Sequence, residues 1–267
     1  MSKLPARRWQ DMTTVDFATA ETSQWIAVLP VAAIEQHGPH LPVWTDTCIA
    51  EGMIARSIEL LADEMPVTFL PVQAIGKSNE HISSPGTLTS TWETTTKLWL
   101  DIGDSVYRAG VEKLIIVNSH GGNVPMVDIV ARELRVRHDM LVVATAWSRL
   151  GHPAGLPTGN EGLYGIHGGE IETSIMLHLR PDLVRMEHAI DFRSAQLDFI
   201  DAFAHLRAHG TSQFGWKAQD LNPAGTVGNA SLATVEKGKA VVDHQAAAFV
   251  ALCRDVHAFD TSRLWRP

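Results

Sequence analysis

The sequence predicts an α/β protein with a mostly parallel sheet that is covered by helices on both faces. Three observations support this prediction: short segments that are apolar throughout, longer segments with helical periodicity, and an alternation between the two kinds. A strand that is buried on both faces is apolar along its whole length, whereas a helix that covers a sheet is apolar every three or four residues. Strands that alternate with helices form βαβ units, and such units build parallel sheets.

Four segments have the continuous apolar character of buried strands, namely 25–31 (WIAVLPV), 66–72 (PVTFLPV), 114–118 (LIIVN) and 141–146 (LVVATA). The helical segments are 47–62, 91–109, 124–137 and 170–179, followed by a last helix at about 233–256. Ser90-Thr91-Trp92-Glu93 predicts a capping box at the start of the second helix, and Gly110 is placed as its C′ residue. We expect a single domain over residues 1–267, because neither an internal repeat nor a low-complexity linker divides the chain.

Composition and charge exclude several classes of protein. Of the 267 residues, 45% are hydrophobic and 19% are charged, which is typical of a globular protein and excludes a disordered chain. The net charge of −8 argues against a nucleic-acid partner, which needs a concentrated basic face. There is no apolar run of about 18 residues and no apolar N-terminal signal segment, so we expect no membrane span and no secretion. The two cysteines fit a reducing, cytoplasmic location.

Polar segments that contain histidine follow two of the predicted strands. EQHGPH follows strand 25–31, NSHGGN follows strand 114–118, and HGGEIET leads into the helix at 170–179. In open parallel sheets, sites form at the carboxyl ends of the strands, where loops lead into helices. The fold therefore predicts a functional site where these segments lie.

The first segment offers three side chains that can bind a metal ion, namely Glu35, His37 and Asp46. Glu35 and His37 are two residues apart, so both point to the same side of an extended chain. Zn²⁺ and Mn²⁺ accept such a mixture of oxygen and nitrogen donors. Asp46 alone is explained equally well as a residue that caps the following helix. We favour the ligand interpretation because Glu35 and His37 lie close to it in the sequence.

The second segment places His120 at the end of a strand, and the glycines after it let a ligand approach the backbone closely. A Gly-Gly turn at a helix start can also bind phosphate, but the spacing matches neither a P-loop nor a dinucleotide-binding motif. We therefore favour His120 as a metal ligand. The residues that we place on the substrate side are Gly121, Gly122, Asn123, His81 and Trp216.

The third segment contains His167, Glu170 and Glu172. The two glutamates are too close in sequence to share one face of a helix, so we expect them to have different roles. Either carboxylate alone is also explained as a group that stabilises the helix N-terminus. Ser119 and Cys48 are poor candidates for a nucleophile, because the Gly-x-Ser-x-Gly motif is missing and Cys48 lies in an apolar helical segment.

With these three clusters in order, the chain resembles the creatininase (creatinine amidohydrolase) family. The segments that carry the resemblance are LPVAAIEQHGPHLPVWTD, IVNSHGGN and HGGEIETSIML, supported by NEHISSPGTL and GTVGNASLATVEKG. The resemblance implies a three-layer α/β/α sandwich and a homo-oligomer, hexamers being common in the family. It also implies two divalent cations per chain, Zn²⁺ or Mn²⁺, with Fe²⁺ as a further possibility.

The resemblance implies which side chains hold these ions. One ion would be held by Glu35, Asp46 and His120, and the other by His37, Asp46 and Glu172. Asp46 would therefore bridge the two.

The function implied by the resemblance is hydrolysis of a C–N amide bond in a small cyclic amide or formamide, by a hydroxide that bridges the two ions. His167 matches the catalytic histidine of the family and would protonate the leaving nitrogen, because the pKa of imidazole is near neutrality. Glu170 could orient this imidazole or contact the substrate. Creatininase itself has aromatic and acidic residues at the positions of Gly121 and Gly122, so creatinine is not implied as the substrate.

Two other functions remain open. The same site could hydrolyse a ring ketone, a lactone or a short precursor peptide, because branches of the family that contain HGGN act on different small molecules and peptides. A non-catalytic metal-binding or assembly protein is the third alternative. Five candidate ligands are more than the four that a structural zinc site usually contains, which favours an enzyme. Substrate specificity is expected to depend on loops such as 148–166 and 209–231.

Overall fold

The computed structural model describes residues 4–265, so the ends of the expected domain, residues 1–3 and 266–267, lie outside the described residues. The α-helices in this range are α1 (Thr14–Thr19), α2 (Thr45–Leu60), α3 (Trp92–Arg108), α4 (Val124–His138), α5 (Glu161–Tyr164), α6 (Glu170–Leu179), α7 (Gln196–Ala202), α8 (Ala218–Leu221) and α9 (Val235–Ala258). The strands are β1 (Ile26–Val31), β2 (Val67–Phe69), β3 (Lys113–Asn118), β4 (Leu141–Ala146), β5 (Asp191–Phe192) and β6 (Gly228–Asn229).

Strands β1 to β4 form a parallel sheet in the order β2-β1-β3-β4, and β5 and β6 form a small antiparallel pair. β1 and β3 pair along their whole lengths, from Ile26 opposite Lys113 to Val31 opposite Asn118. The chain proceeds from β1 toward one edge of the sheet and from β3 toward the other edge. The loops that follow β1 and β3 therefore diverge, and they leave a crevice at the carboxyl ends of these two strands.

Helices cover both faces of the main sheet, which confirms the three-layer α/β/α sandwich. On one face, Ile26 and Val28 of β1 pack in a buried cluster with side chains of α2, α6 and α9. On the other face, Ala27 and Leu29 pack with side chains of α3 and α4. Neighbouring side chains of a strand point to opposite faces, so a strand between two helix layers must be apolar at every position.

The observed strands and long helices agree closely with the predicted segments, with one clear shortening. The predicted strand 66–72 pairs as a strand only over Val67–Phe69. Leu70 still donates its N–H to the Val28 carbonyl, but Pro30 of β1, whose nitrogen faces this strand, has no N–H group with which to continue the ladder, so the regular pairing ends here.

The predicted capping box at the start of α3 is wrong. The helix begins at Trp92 with Thr91 as its N-cap, and the Thr91 side chain accepts a hydrogen bond from the Thr94 N–H. The Ser90 hydroxyl contacts the Thr95 hydroxyl instead. At the other end of α3, Gly110 has φ +85°, a left-handed conformation that glycine adopts without strain, as expected for the C′ residue.

Helix α6 is held against α9 by a close approach of the two backbones. A Cβ atom at Gly238 of α9 would lie 1.9 Å from the Ser174 carbonyl oxygen of α6, so a larger residue does not fit there. This contact fixes the position of α6, which begins at the candidate functional site. Within residues 4–265, no helix is long and apolar enough to cross a membrane.

Candidate metal centre

The crevice at the carboxyl ends of β1 and β3 contains a buried group of carboxylates and imidazoles. The structure brings together all five residues that were predicted to bind metal, namely Glu35, His37, Asp46, His120 and Glu172. The first two follow β1, the third lies in the first turn of α2, the fourth follows β3, and the last lies in the first turn of α6. Segments far apart in sequence thus meet where the parallel sheet predicts a site.

Asp46 lies between the two histidines of this group. Its Oδ1 is 3.4 Å from Nε2 of His37, and its Oδ2 is 3.4 Å from Nδ1 of His120. Helix α2 begins at Thr45, and its N-cap, Trp44, makes no side-chain capping hydrogen bond. The Asp46 carboxylate therefore faces the histidines and does not cap the helix.

Each of these histidines is anchored through one ring nitrogen to the main chain. His37 donates from Nδ1 to the Glu35 carbonyl oxygen at 3.0 Å, and His120 donates from Nε2 to the Lys77 carbonyl oxygen at 2.9 Å. A carbonyl oxygen only accepts hydrogen bonds, so these nitrogens carry protons. The other nitrogen of each ring faces the carboxylates, which is how proteins usually orient histidines that bind metal.

Several polar atoms at the centre are buried without a hydrogen-bond partner among residues 4–265. They include both carboxylate oxygens of Glu35, Nε2 of His37 and Oδ2 of Asp46. Each of these three residues is 1% exposed. Buried polar groups of this kind are normally paired, because an unpaired one is costly. Ligand atoms of His37, Asp46 and Glu172 also lie within 4.8 Å of one another, so the centre fits a divalent cation.

The carboxylates and imidazoles shift one another's pKa. Burial opposes a charge on His37, but the carboxylates of Asp46 and Glu172 outweigh this effect and raise the pKa of His37 to about 10. Burial alone would raise the pKa of Asp46, yet His37 and His120 hold it below its usual range. Burial, reinforced by Asp46, raises the pKa of Glu172 to about 7. A bound cation would take over the role of the histidine protons, so metal binding at this centre must release protons.

His167 lies beside this group with its ring facing that of His37, the two ring centres 4.1 Å apart. Its Nε2 donates to the Gln36 carbonyl oxygen at 2.7 Å, and its Nδ1 lies 3.5 Å from Oε1 of Glu35. Burial and the neighbouring charge of His37 hold the pKa of His167 well below its usual value. His167 is therefore a neutral imidazole with an unprotonated nitrogen directed at the centre.

Glu170 does not lie beside His167, so the expectation that it orients this imidazole is wrong. Its carboxylate accepts a hydrogen bond from the Thr158 N–H at 2.6 Å and pairs with Lys237 Nζ at 2.5 Å. Successive residues of a helix are rotated by about 100°, so Glu170 and Glu172 point in nearly opposite directions. The Gln36 carbonyl, which the sequence did not single out, holds the His167 ring instead.

A cavity of about 350 Å³ lies next to the centre, and His120 and Glu172 both line it. Gly121 also lines it, and a Cβ atom at Gly121 would meet no other atom within 4 Å. Part of the lining comes from the segment that follows β4, with Ser148, Arg149, His152, Pro157, Gly162, Gly165 and Ile166. Loop 148–166, on which substrate specificity is expected to depend, thus lines the cavity, whereas loop 209–231 contributes no residue to the described lining.

Gly122 and Asn123, predicted on the substrate side, point away from this cavity. A Cβ atom at Gly122 would lie 2.4 Å from both His120 Nε2 and Lys77 O. Asn123 is fully buried, accepts a hydrogen bond from the Lys77 N–H and donates one to the Ala32 carbonyl. Both residues therefore fix the loop that carries His120, and their placement on the substrate side is corrected.

His81 and Trp216 also lie elsewhere than predicted. His81 is buried behind the centre, where its Nδ1 accepts a hydrogen bond from the Gln36 amide at 2.7 Å and its Nε2 lies 3.6 Å from Glu35. Burial first, and then the neighbouring His167, lower the pKa of His81 to about 3. Trp216 donates to the Ala208 carbonyl and packs in a separate small apolar cluster. Neither side chain is part of the described cavity wall.

Glu80 is a candidate ligand that the sequence did not reveal. Ligand atoms of Glu35, Glu80 and His120 lie within 4.8 Å of one another. Glu80 Oε1 is also 3.7 Å from His120 Nε2, the nitrogen that donates to the Lys77 carbonyl. The missing side chain of Gly122 makes room for Glu80, because a Cβ atom there would lie 2.4 Å from Glu80 Oε1. The only feature of the sequence that pointed to Glu80 was its position next to His81 in a polar loop segment, and such a segment is equally typical of an ordinary polar surface.

Comparison with known proteins adds an independent finding. A family model described as "Creatininase: Creatinine amidohydrolase" matches residues 10–253, which include every residue of the candidate centre. The mycofactocin precursor peptide peptidase of Mycobacterium ulcerans is 31% identical over 225 residues, which cover 82% of this chain and 81% of that protein. The creatinine amidohydrolase of Pseudomonas putida is 31% identical over 231 residues, which cover 82% of this chain and 84% of that protein.

Solved structures share the fold. A crystal structure of creatinine amidohydrolase (creatininase) superposes with a TM-score of 0.78 at 25% identity, covering 96% of this chain and 100% of that chain. Two further creatininase structures, one with Mn and one of a Zn–Zn type, are each 24% identical and have TM-scores of 0.75 and 0.76. The first covers 95% of this chain and 100% of its own, and the second covers 95% and 99%.

Proposed function

The chain belongs to the creatininase family, whose members are amidohydrolases, and we propose that it hydrolyses a C–N amide bond in a small cyclic amide or formamide with the help of bound divalent cations. One observation carries this proposal. Glu35, His37, Asp46, His120 and Glu172 converge from three separate parts of the sequence on one buried centre, and that centre adjoins a cavity.

Two divalent cations per chain, Zn²⁺ or Mn²⁺ with Fe²⁺ as a further possibility, are part of the proposal. Glu35, Asp46 and His120 would hold one of them, and His37, Asp46 and Glu172 the other. The position of Asp46, at 3.4 Å from both histidines, supports a shared ligand at this position. When bound, such ions act as Lewis acids that polarise a carbonyl group and make water a stronger nucleophile at neutral pH.

His167 is proposed to transfer the proton that amide cleavage requires. Its Nε2 is held by the Gln36 carbonyl, so proton uptake and release take place at Nδ1, which faces Glu35. A proton taken up there from the attacking water can pass to the leaving nitrogen, which is a poor leaving group without it.

The cavity supports a small substrate. Its volume of about 350 Å³ lies at the lower end of the range found for small-molecule sites, roughly 300–1,000 Å³. Ile49 and Ile175 give it apolar walls, and Arg149 and Gln245 add polar groups. A compact organic molecule with a few polar groups fits this lining.

A second candidate function is cleavage of a short precursor peptide. It is favoured by the 31% identity to the Mycobacterium ulcerans peptidase, which equals the identity to creatinine amidohydrolase. The chemistry at the carbonyl group would be the same, and the two functions differ only in what the cavity and its entrance accept. Hydrolysis of a ring ketone or lactone would use the same centre as well.

A panel of substrates tests these alternatives. The protein is stripped with a chelator, reloaded with Zn²⁺ or Mn²⁺, and assayed with creatinine, a formamide, a lactone, a cyclic ketone and short peptides. We expect an amide of the first two kinds to be hydrolysed, activity to disappear on chelation, and activity to return on reloading. Turnover of the peptides, the lactone or the ketone alone would favour the second candidates, and activity that survives exhaustive chelation would overturn the metal-dependent proposal.

We also propose a homo-oligomer, with a hexamer favoured by the family resemblance. Three large apolar side chains in one short stretch are exposed in the chain, namely Ile82 at 61%, Leu88 at 51% and Trp92 at 54%. Light scattering after size-exclusion chromatography should give a mass near six times 29.2 kDa. A mass of one chain at micromolar concentration would contradict this proposal.

A further inference from the structure

The segment 151–166, which we call the cavity loop, lines the cavity next to the candidate metal centre. His152, Pro157, Gly165 and Ile166 of this loop all contribute to the lining. The loop lies between a single 3₁₀ turn after β4, Trp147–Leu150, and the short segment that leads into α6, and its helical content is limited to α5. Its placement over the cavity must therefore come from contacts with its surroundings.

One contact comes from α6 and reaches the loop. The Glu170 carboxylate is fully buried and accepts hydrogen bonds from the N–H and the hydroxyl of Thr158, at 2.6 Å and 2.5 Å. Lys237 of α9 neutralises it, with Nζ 2.5 Å from Oε1, and donates a further hydrogen bond to the Leu232 carbonyl at 2.6 Å. Hydrogen bonds to a charged group are about twice as strong as neutral ones.

A second contact runs in the opposite direction, from the loop to α6. The Glu161 carboxylate accepts the N–H of Glu170 at 3.0 Å, at the N-terminus of α6, and the N–H of Asn229 at 2.8 Å. A negative charge is favourable at this end of a helix. Glycines make room for it, since Cβ atoms at Gly169 and Gly228 would lie 2.3 Å and 2.5 Å from Glu161 Oε1.

The two carboxylates thus form a reciprocal clamp between the cavity loop and α6. The same helix carries Glu172, which faces the candidate metal centre from the other side of the helix. We propose that Glu161 and Glu170 are positioning residues that hold the cavity loop at a fixed distance from the metal centre and thereby determine how tightly the substrate binds. The part of this proposal that concerns the substrate rests on the proposed hydrolase function.

Hydrogen exchange of the metal-loaded full-length chain tests the clamp without any substrate. Glu170→Gln and Lys237→Met should speed amide exchange in residues 151–166 by roughly tenfold or more, because a charged hydrogen bond is lost. Metal content should not change. Lys237→Arg should restore slow exchange. Lys239→Met is the matched control, because Lys239 lies two residues further along α9 and pairs with Asp243 on the surface, away from the loop.

Three outcomes of this exchange experiment would overturn the proposal. They are unchanged exchange in the loop, an equal increase throughout the chain, and loss of metal. Thr158→Val gives a second test from the loop side if the Glu170 variant does not fold, since Thr158 is exposed and its substitution leaves α6 intact. It removes one of the two hydrogen bonds from Thr158, so we expect a smaller increase in the same residues.

Kinetics then separate positioning from chemistry. With the member of the substrate panel that is hydrolysed fastest, Glu170→Gln should raise KM about tenfold and lower kcat by much less. A fall in kcat at unchanged KM would overturn the proposal, because it would place Glu170 in the reaction itself. If no panel member is hydrolysed, the proposed function fails, and the exchange experiment still decides whether the clamp exists.

Discussion

The candidate metal centre and the cavity loop face the same cavity, but they are fixed in different ways. The imidazoles of His37 and His120 are held by main-chain carbonyls, those of Glu35 and Lys77. The cavity loop is held by two side-chain carboxylates, Glu161 and Glu170, and by Lys237. The candidate metal ligands are thus oriented by the backbone, whereas the segment that lines the cavity is kept in position by a few side chains.

The two regions also differ in how completely their charges are satisfied. The Glu170 carboxylate has its hydrogen bonds and its ion pair within the chain. The Glu35 carboxylate is equally buried, yet neither of its oxygens has a hydrogen-bond partner among the described residues. A buried anion is stable only when a cation or hydrogen bonds compensate it. The charges that hold the cavity loop are therefore compensated within the chain, while those of the centre require protonated histidines or a metal ion.

The largest effect is expected from Asp46→Ala, because Asp46 contacts both histidines of the centre. Elemental analysis should show that both ions are lost, and hydrolytic activity should fall by roughly 10³-fold or more, since the Lewis acids are gone. Glu161→Ala in the cavity loop is the comparison and should retain its metal. Two ions per chain in the Asp46 variant would show that Asp46 is not the shared ligand.

His167→Ala should give the next largest effect and keep the metal bound. Loss of proton transfer typically lowers kcat by roughly 10²–10⁴-fold. Single-turnover kinetics and metal analysis of the same sample provide the measurement. His167 lies with Glu35 and His37 in a group of possible ligands, so a variant that loses metal would instead identify His167 as a ligand.

Gly121 and Gly122 allow a comparison between neighbours on opposite sides of one loop. A Cβ atom at Gly122 would collide with Glu80 and His120, whereas one at Gly121 would extend into the cavity. Gly122→Ala should therefore weaken metal binding by roughly 10- to 100-fold, as is typical when the surroundings of a ligand are disturbed. Gly121→Ala should leave metal affinity unchanged and alter only KM. Equal metal affinities in the two variants would contradict this placement of Gly122.

The smallest effect concerns the pH dependence of the metal-free protein. The pKa of His37 is raised to about 10 from 6.5, so the stability that this group adds is complete below pH 6.5 and is lost as the pH rises through about 10. The raised pKa of Glu172, about 7 against 4.5, acts in the same direction between those values. The Tm of the chelated protein should fall by a few degrees on going from neutral to alkaline pH, whereas the metal-loaded protein should change less. A chelated protein whose Tm is constant over this range would refute the assignment of these charges.

Much of the fold could be predicted because its elements have strong local patterns. β1 and β3 are buried on both faces, so their sequences are apolar throughout, and the helices between them keep one apolar face. The site could be located as well, because Glu35 and His120 follow adjacent parallel strands and such strand ends converge. These inferences need only the periodicity of each segment and the topology that it implies.

The direction of individual side chains could not be predicted, because it depends on tertiary contacts. The sequence showed that Glu170 and Glu172 differ in orientation, but Lys237, which attracts Glu170, is far away in the chain. Trp216 was equally compatible with a pocket wall and with the small apolar cluster in which it lies. Glu80 lies near His120 because the segment after β2 contacts the His120 ring through the Lys77 carbonyl and the Ser78 hydroxyl, which no local pattern reveals.

The carbonyl acceptors of Glu35, Gln36 and Lys77 have a consequence for how this protein can vary. Main-chain oxygens are present whatever side chain their residue carries, so replacement of Lys77 by another residue leaves the acceptor for His120 intact. The orientation of the imidazole rings of His37, His120 and His167 thus depends on the course of the backbone and not on the identity of neighbouring side chains. A library that randomises the side chains lining the cavity can therefore be screened for new substrates, because these substitutions leave the orientation of the three histidine rings unchanged.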